Sequence, residues 1–149
     1  MTDPGGSDVP AAQNLIRLLY ADETQETDQE VTNGAERVFE ALRVRLSAVL
    51  GTGGYATLLA RALALTRAEF SWMADITVDK NGSLAGRVAV AAQEQAAVEV
   101  VRSFTGLLSR FAALLVTFIG ADLTNRLLDA VWQDLETRVV TDTPGVKDL

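Results

Sequence analysis

The chain has 149 residues, 48% apolar and 22% charged, a balance that predicts one folded domain and excludes a disordered polymer. It has no histidine and no cysteine, which removes the imidazole base, the commonest metal ligand, disulfides and the thiolate nucleophile together. The net charge of −7 sits almost wholly in residues 1–31, where seven acids stand against Arg17 alone. Neither that arm nor the near-neutral remainder attracts nucleic acid or anionic lipid by bulk electrostatics.

The opening MTDPGGSDVP has neither the basic nor the apolar stretch of a signal peptide, and the lack of cysteine fits a reducing cytoplasm. Eleven arginines against two lysines, with much alanine, point to bacterial coding bias. Pro10 and the apolar Leu15, Ile16, Leu18 and Leu19 predict a short helix near 10–20, followed by the acidic linker ADETQETDQEV. Residues 1–31 therefore read as an acidic, partly disordered arm.

The first long helix is predicted from the capping residues Thr32 and Asn33 to Leu50, with Val38, Phe39, Leu42, Leu46, Val49 and Leu50 as its apolar face. Glu36, Glu40, Arg43 and Ser47 fall opposite. GTGGY, residues 51–55, then leads into a helix whose inner face is Tyr55, Leu58, Leu59, Ala62, Leu63, Thr66, Phe70 and Met73. A second line, Ala56, Ala60, Ala64 and Ala68, is small, and the scarcity of polar residues predicts that other helices enclose it.

ITVDKNGSLAG, residues 76–86, breaks the helical pattern, and Asn81-Gly82 offers either a tight hairpin or a plain connection between helices. One long helical pattern then runs from Arg87 to Ile119, with Phe104, Leu108, Phe111, Leu115 and Phe118 in its stripe and Gly106 as a bend point. About 33 residues at ~1.5 Å each gives ~50 Å. That exceeds the ~38 Å diameter of a compact chain this size, so a kink or a second copy is expected. Gly120 ends this helix, and Asp122 opens the last one, with Leu123, Leu127, Leu128, Val131, Trp132 and Leu135. Phe111–Ala121 is uncharged but spans only eleven residues, well short of the ~20 needed to cross a bilayer.

Several stretches invite a chemical reading. GTGGY lacks the preceding strand and the lysine of a phosphate loop, and reads as a bend in which Gly51 is a left-handed helix cap. Thr77–Val88 fits a calcium loop at Asp79, Asn81 and Gly82, but Thr77 and Val88 replace its first and last acidic ligands. The Gly120 corner resembles a helix-turn-helix, yet Arg126 sits where an apolar residue belongs and acids outnumber bases around it.

Glu69 and Glu94 each interrupt an apolar stripe. Without a Glu-x-x-His partner they cannot build a di-metal bundle site. Ion pairs to Arg61, Arg67, Arg87 or Arg102 are the expected use. Trp72 and Trp132 read as core anchors.

The resulting expectation is an all-α antiparallel bundle of four to five helices over 32–140, with one long helix, a tail at 141–149, and a dimeric assembly. No catalytic, cofactor-binding or metal-ligating residue is assigned. The expected function is a cytoplasmic interaction module, non-enzymatic, working as a homodimeric adaptor or regulatory partner through apolar helix faces. It calls for no cofactor, nucleic acid or membrane insertion. The alternative is a bundle that binds a small molecule or lipid between the alanine line and Phe104, Phe111 and Phe118, with Arg61 or Glu69 as the polar contact.

Overall fold

A computed structural model describes residues 28–86 and 95–142. These residues form an all-α fold of four helices: α1 (Asp28–Leu50), α2 (Thr52–Arg67), α3 (Ala97–Ile119) and α4 (Ala121–Asp142). A 3-10 turn (Ser71–Asp75) and the strands β1 (Ile76–Val78) and β2 (Leu84–Gly86) lie between α2 and α3. The arm before Asp28, the tail after Asp142 and Glu94 lie outside the described residues.

Helix α1 begins ahead of Thr32, at Asp28. Ala35, Val38, Phe39, Leu42 and Leu46 are buried on one face, at the steps of three and four read from the sequence. Val49 departs from that reading, since it is 52% exposed at the helix end.

One residue separates α1 from α2. Gly51 has φ 81° and ψ 153°, so it is not the left-handed cap expected but lies in the extended positive-φ region open essentially to glycine. Its N–H still closes the helical bond to Ser47, and its carbonyl accepts from Tyr55. The α3–α4 corner repeats this solution at Gly120, with φ 90° and ψ 160°. There the Gly120 N–H bonds to Val116 and its carbonyl accepts from Thr124.

The long helix is shorter than its sequence pattern. Ala96 is extended, with φ −67° and ψ 148°, and α3 starts at Ala97. Its 23 residues amount to ~35 Å. It therefore fits the ~38 Å of a compact chain, and length alone no longer calls for a second copy. Gly106 does not interrupt it. A Cβ there would come within 3.3 Å of the Phe70 ring and 3.9 Å of Thr66, so glycine lets α3 approach the end of α2 closely. By length and composition α3 is apolar enough to cross a membrane, yet half of its most apolar window is buried in the fold.

Helices α1 and α3 pack on one another, and each also packs on α2 and on α4. The core they share includes Phe104, Phe111, Leu107 and Leu108 from α3 and Leu128, Val131 and Leu135 from α4. Phe39 and Trp72 both meet Phe104, at ring separations of 6.2 and 6.1 Å. The Trp72 Nε1–H donates to Ser103 Oγ at 2.7 Å, and Ser103 donates to the Glu99 carbonyl at 2.8 Å, so this buried hydroxyl is satisfied. Trp72 and Trp132 are both partly buried anchors against the core.

The 76–86 segment resolves as a hairpin, antiparallel in the register Ile76↔Gly86, Thr77↔Ala85 and Val78↔Leu84. The Arg67 guanidinium donates to the Ile76 carbonyl and ties the hairpin to the end of α2.

The glycines make a sharp comparison. Gly51→Ala should destabilise the fold by about 1–3 kcal/mol through backbone strain alone, because no neighbour lies within 4 Å of the new Cβ. Gly53→Ala, inside α2 with equally open space and no positive φ, should stabilise by about 0.5–1 kcal/mol. Urea unfolding of the two variants against the parent would show opposite signs.

Candidate functional site

Two surface features stand out among the described residues. The first is a cleft of about 220 Å³ between α1 and the hairpin, lined by Glu36, Phe39, Glu40, Ser83 and Leu84. Glu36 and Glu40 are one turn apart, so their carboxylates lie on the same side of the helix. Glu40 is held by Arg43, whose Nε donates at 3.0 Å and whose second nitrogen completes a bidentate pair. The hydrogen bond to Glu40 is the main reason that the Arg43 guanidinium sits above its ordinary pKa.

Below the cleft lies Tyr55, fully buried on the inner face of α2. Its hydroxyl donates to the Phe39 carbonyl at 3.3 Å, and its ring packs edge-on against Phe111 at 5.5 Å. Gly82 rests on the same ring so closely that a Cβ there would fall 2.7 Å from Tyr55 Cδ2. Burial pushes the Tyr55 phenol well above its ordinary value of 10.0, with Glu40 adding slightly and Arg43 opposing.

The cleft is acidic but sparsely equipped. No group of three His, Cys, Asp or Glu side chains able to hold a metal occurs among the described residues. Asp79 is used internally: its Oδ1 accepts the backbone N–H groups of Asn81 at 2.9 Å and Ser83 at 3.0 Å. That is the side-chain turn expected of an Asp-x-Asn-Gly loop. The Gly51–Gly54 segment is likewise a one-residue corner followed at once by helix.

The second feature is the outer flank of α2. Ala60, Ala64 and Ala68 are exposed, and Leu65 is 48% exposed. This overturns the expectation that other helices enclose the alanine line. The alanines face solvent while Phe104 and Phe111 are buried in the core, so the two sets do not face a common pocket. Phe118 leaves the stripe and is 67% exposed. It shares a helical phase with buried Leu107, eleven residues earlier. The 16-residue α2 is ~10 Å shorter than α3, and the last turn of α3 outruns the core.

Glu69 pairs with Arg110, not with the arginines anticipated, and its side chain is 53% exposed rather than set into the core. It lies just beyond Arg67, where Ala68 keeps helical angles of φ −62° and ψ −27°. Arg61 and Leu65 lie one turn apart on the open flank, whereas Glu69 falls in the turn beyond the helix, its N–H bonded to the Thr66 carbonyl at 2.9 Å. Arg61 makes no ion pair with any described residue.

The sequence reading assigned Glu36 and Glu40 to a polar outer face and missed the cleft. Their four-residue spacing was visible, but the hairpin that closes over them was one of two options. Compared with family models, curated proteins and solved structures, the chain has no match.

Tyr55 supplies a test of this geometry. With the folded pKa raised, the neutral phenol's contribution to stability is fully present below about pH 10 and is lost as pH rises above that unfolded value. The difference in alkaline phenolate absorbance between the parent and Tyr55→Phe should show no Tyr55 titration near pH 10 while the circular dichroism stays native. A full Tyr55 titration at pH 10 in a folded chain would contradict its burial.

Proposed function

We propose that this chain is a cytoplasmic helical interaction module, an antiparallel bundle that acts as a homodimeric adaptor or regulatory partner through apolar helix faces. The observation that carries this reading is the outer flank of α2. Helix α2 has no acidic residue and only Arg61 and Arg67 as charges, while the surface of α4 is set with Asp122, Arg126, Asp129 and Asp134. An open helix flank of small and apolar residues loses little on desolvation and lets a second backbone come near. A solvated flank such as that of α4 does not offer this.

The pocket alternative draws less support, because the cleft beside α1 is lined by carboxylates rather than by the alanine line and the phenylalanines.

The test is native size in undiluted extract of cells that make the protein. The parent should run well above its 16.0 kDa chain mass. A double substitution, Ala64→Glu with Leu65→Glu, should bring it down while leaving helicity unchanged and the thermal midpoint within a few degrees, since both positions are exposed. A parent that runs at monomer mass in that extract would sink the reading.

A further inference from the structure

We infer that Asn81 is a modification site: its side chain closes on the Gly82 amide with loss of ammonia, and the isoaspartate that follows lifts the hairpin off Tyr55 and opens the acidic cleft. The inference is independent of the contact proposed for α2.

Asn81 is exposed, and its side-chain amide bonds to no described residue. The next residue is glycine, so no side chain hinders the approach of the Gly82 nitrogen to the Asn81 Cγ. In that step the bond from Gly82 N to Cγ forms, the Cγ–Nδ2 bond breaks, and ammonia leaves with the Gly82 proton. Water, the only co-reactant, then opens the cyclic imide at either carbonyl. Attack at Cγ restores the ordinary chain with aspartate in place of asparagine. Attack at the Asn81 backbone carbonyl leaves the chain running through Cγ, as isoaspartate, with an added backbone carbon.

The closed hairpin holds this reaction back. The Gly82 N–H donates to the Asp79 carbonyl at 2.9 Å, while Asp79 Oδ1 accepts from the N–H groups of Asn81 and Ser83. All three backbone donors of the tip thus end on one residue, and the Asp79 N–H returns to the Ser83 carbonyl at 2.9 Å. The Gly82 nitrogen reaches Cγ only when the tip opens, so the rate follows the population of the open hairpin. Two strands of three residues each form a marginal ladder, and such opening is within reach. Isoaspartate, once formed, does not fit the closed arrangement. Gly82 lies so close to the ring that even a Cβ on it would fall 2.7 Å from Tyr55 Cδ2 and 3.1 Å from Cε2. On the far side the ladder ends at the pair Val78↔Leu84, which fixes the span of the turn. An extra backbone carbon before Gly82 therefore moves it off the ring, and Ser83 and Leu84, which line the cleft, move with it.

The experiment incubates the full-length chain in mildly alkaline buffer and follows the peptide Phe70–Glu94, released by cleavage after glutamate, by its mass. Conversion of the amide to a carboxyl should run about tenfold or more slower in the folded parent than in the same chain unfolded in guanidinium chloride. The other Asn-Gly pair, Asn33-Gly34, is released separately in the peptide Val31–Glu36. Asp79→Ala removes the side-chain acceptor at the tip and should speed the folded rate by about threefold or more, with circular dichroism unchanged. A folded rate equal to the unfolded one overturns the proposal. So does a lack of conversion in both folded chains while the unfolded chain converts.

The second readout is nitration of the isoaspartyl chain, separated from the parent by its added charge. Tyrosine is nitrated at the ring carbon beside the one that bears the hydroxyl, and Gly82 covers Cε2. Tyr55, read in the peptide Ala41–Glu69, should react about tenfold or more faster in the isoaspartyl chain than in the parent. Asn81→Asp supplies the charge without the extra backbone carbon and should react like the parent. Equal nitration of the isoaspartyl chain and the parent overturns the lifted hairpin. An Asn81→Asp chain that reacts as fast as the isoaspartyl one overturns it too, since charge alone then moves the hairpin.

Discussion

The fold depends on one ring. Tyr55 is the first buried residue of α2, and three separate parts of the chain close on it: the Phe39 carbonyl of α1, the Phe111 ring of α3, and Gly82 at the tip of the hairpin. Its hydroxyl is the only polar atom on a ring otherwise surrounded by apolar surface. Burying a hydroxyl without a partner costs about 1–3 kcal/mol, so the bond to Phe39 fixes which part of α1 faces α2. The hairpin can lie flat over this point only because residue 82 lacks a side chain. The acidic cleft between α1 and the hairpin is a consequence of the same contact, since Gly82 on Tyr55 is what brings Ser83 and Leu84 beside Glu36 and Phe39.

Helix faces were legible from residue spacing because burial follows a period of 3.6 wherever a helix has a neighbour on one side. Phe39, Leu42 and Leu46 on α1 and Tyr55, Leu59, Ala62, Leu63 and Thr66 on α2 all fall where that period puts them. What periodicity cannot show is where a neighbour stops. Phe118 has the phase of a core residue but stands in the last turn of α3, where it is exposed. The alanine line looked enclosed because it is poor in charge, but alanine is the best helix former and sits on an exposed helix face as readily as on a covered one. Glu69 was misplaced for a related reason: it stands past the end of α2, where helical phase gives a poor account of direction.

Breaks in backbone were legible by residue type but not by conformation. Gly51 and Gly120 were read correctly as ends of helices, and both have positive φ. Their ψ values near the extended range differ from the usual left-handed cap, and that choice turns the chain into the next helix with no intervening loop. The extended Ala96 carries no such sign. Alanine is the best helix former, and a helix pattern that runs through it conceals the break that shortens α3. The difference matters, because the longer pattern exceeds the diameter of a compact chain and the 23-residue helix does not.

The dependence of the core on Tyr55 also bears on how the chain is made. Translation delivers α1, α2 and the hairpin before Phe104 and Phe111 exist, and at ~5–20 residues per second these rings follow Tyr55 by several seconds. During that interval the α1–α2 pair has its glycine corner and its Phe39 bond but no third helix to cover Leu42, Leu46, Leu59 and Leu63. The nascent domain therefore presents its inner face to solvent for longer than a helical hairpin takes to form. A chain built this way relies on whatever shields nascent apolar surface at the ribosome until α3 has emerged.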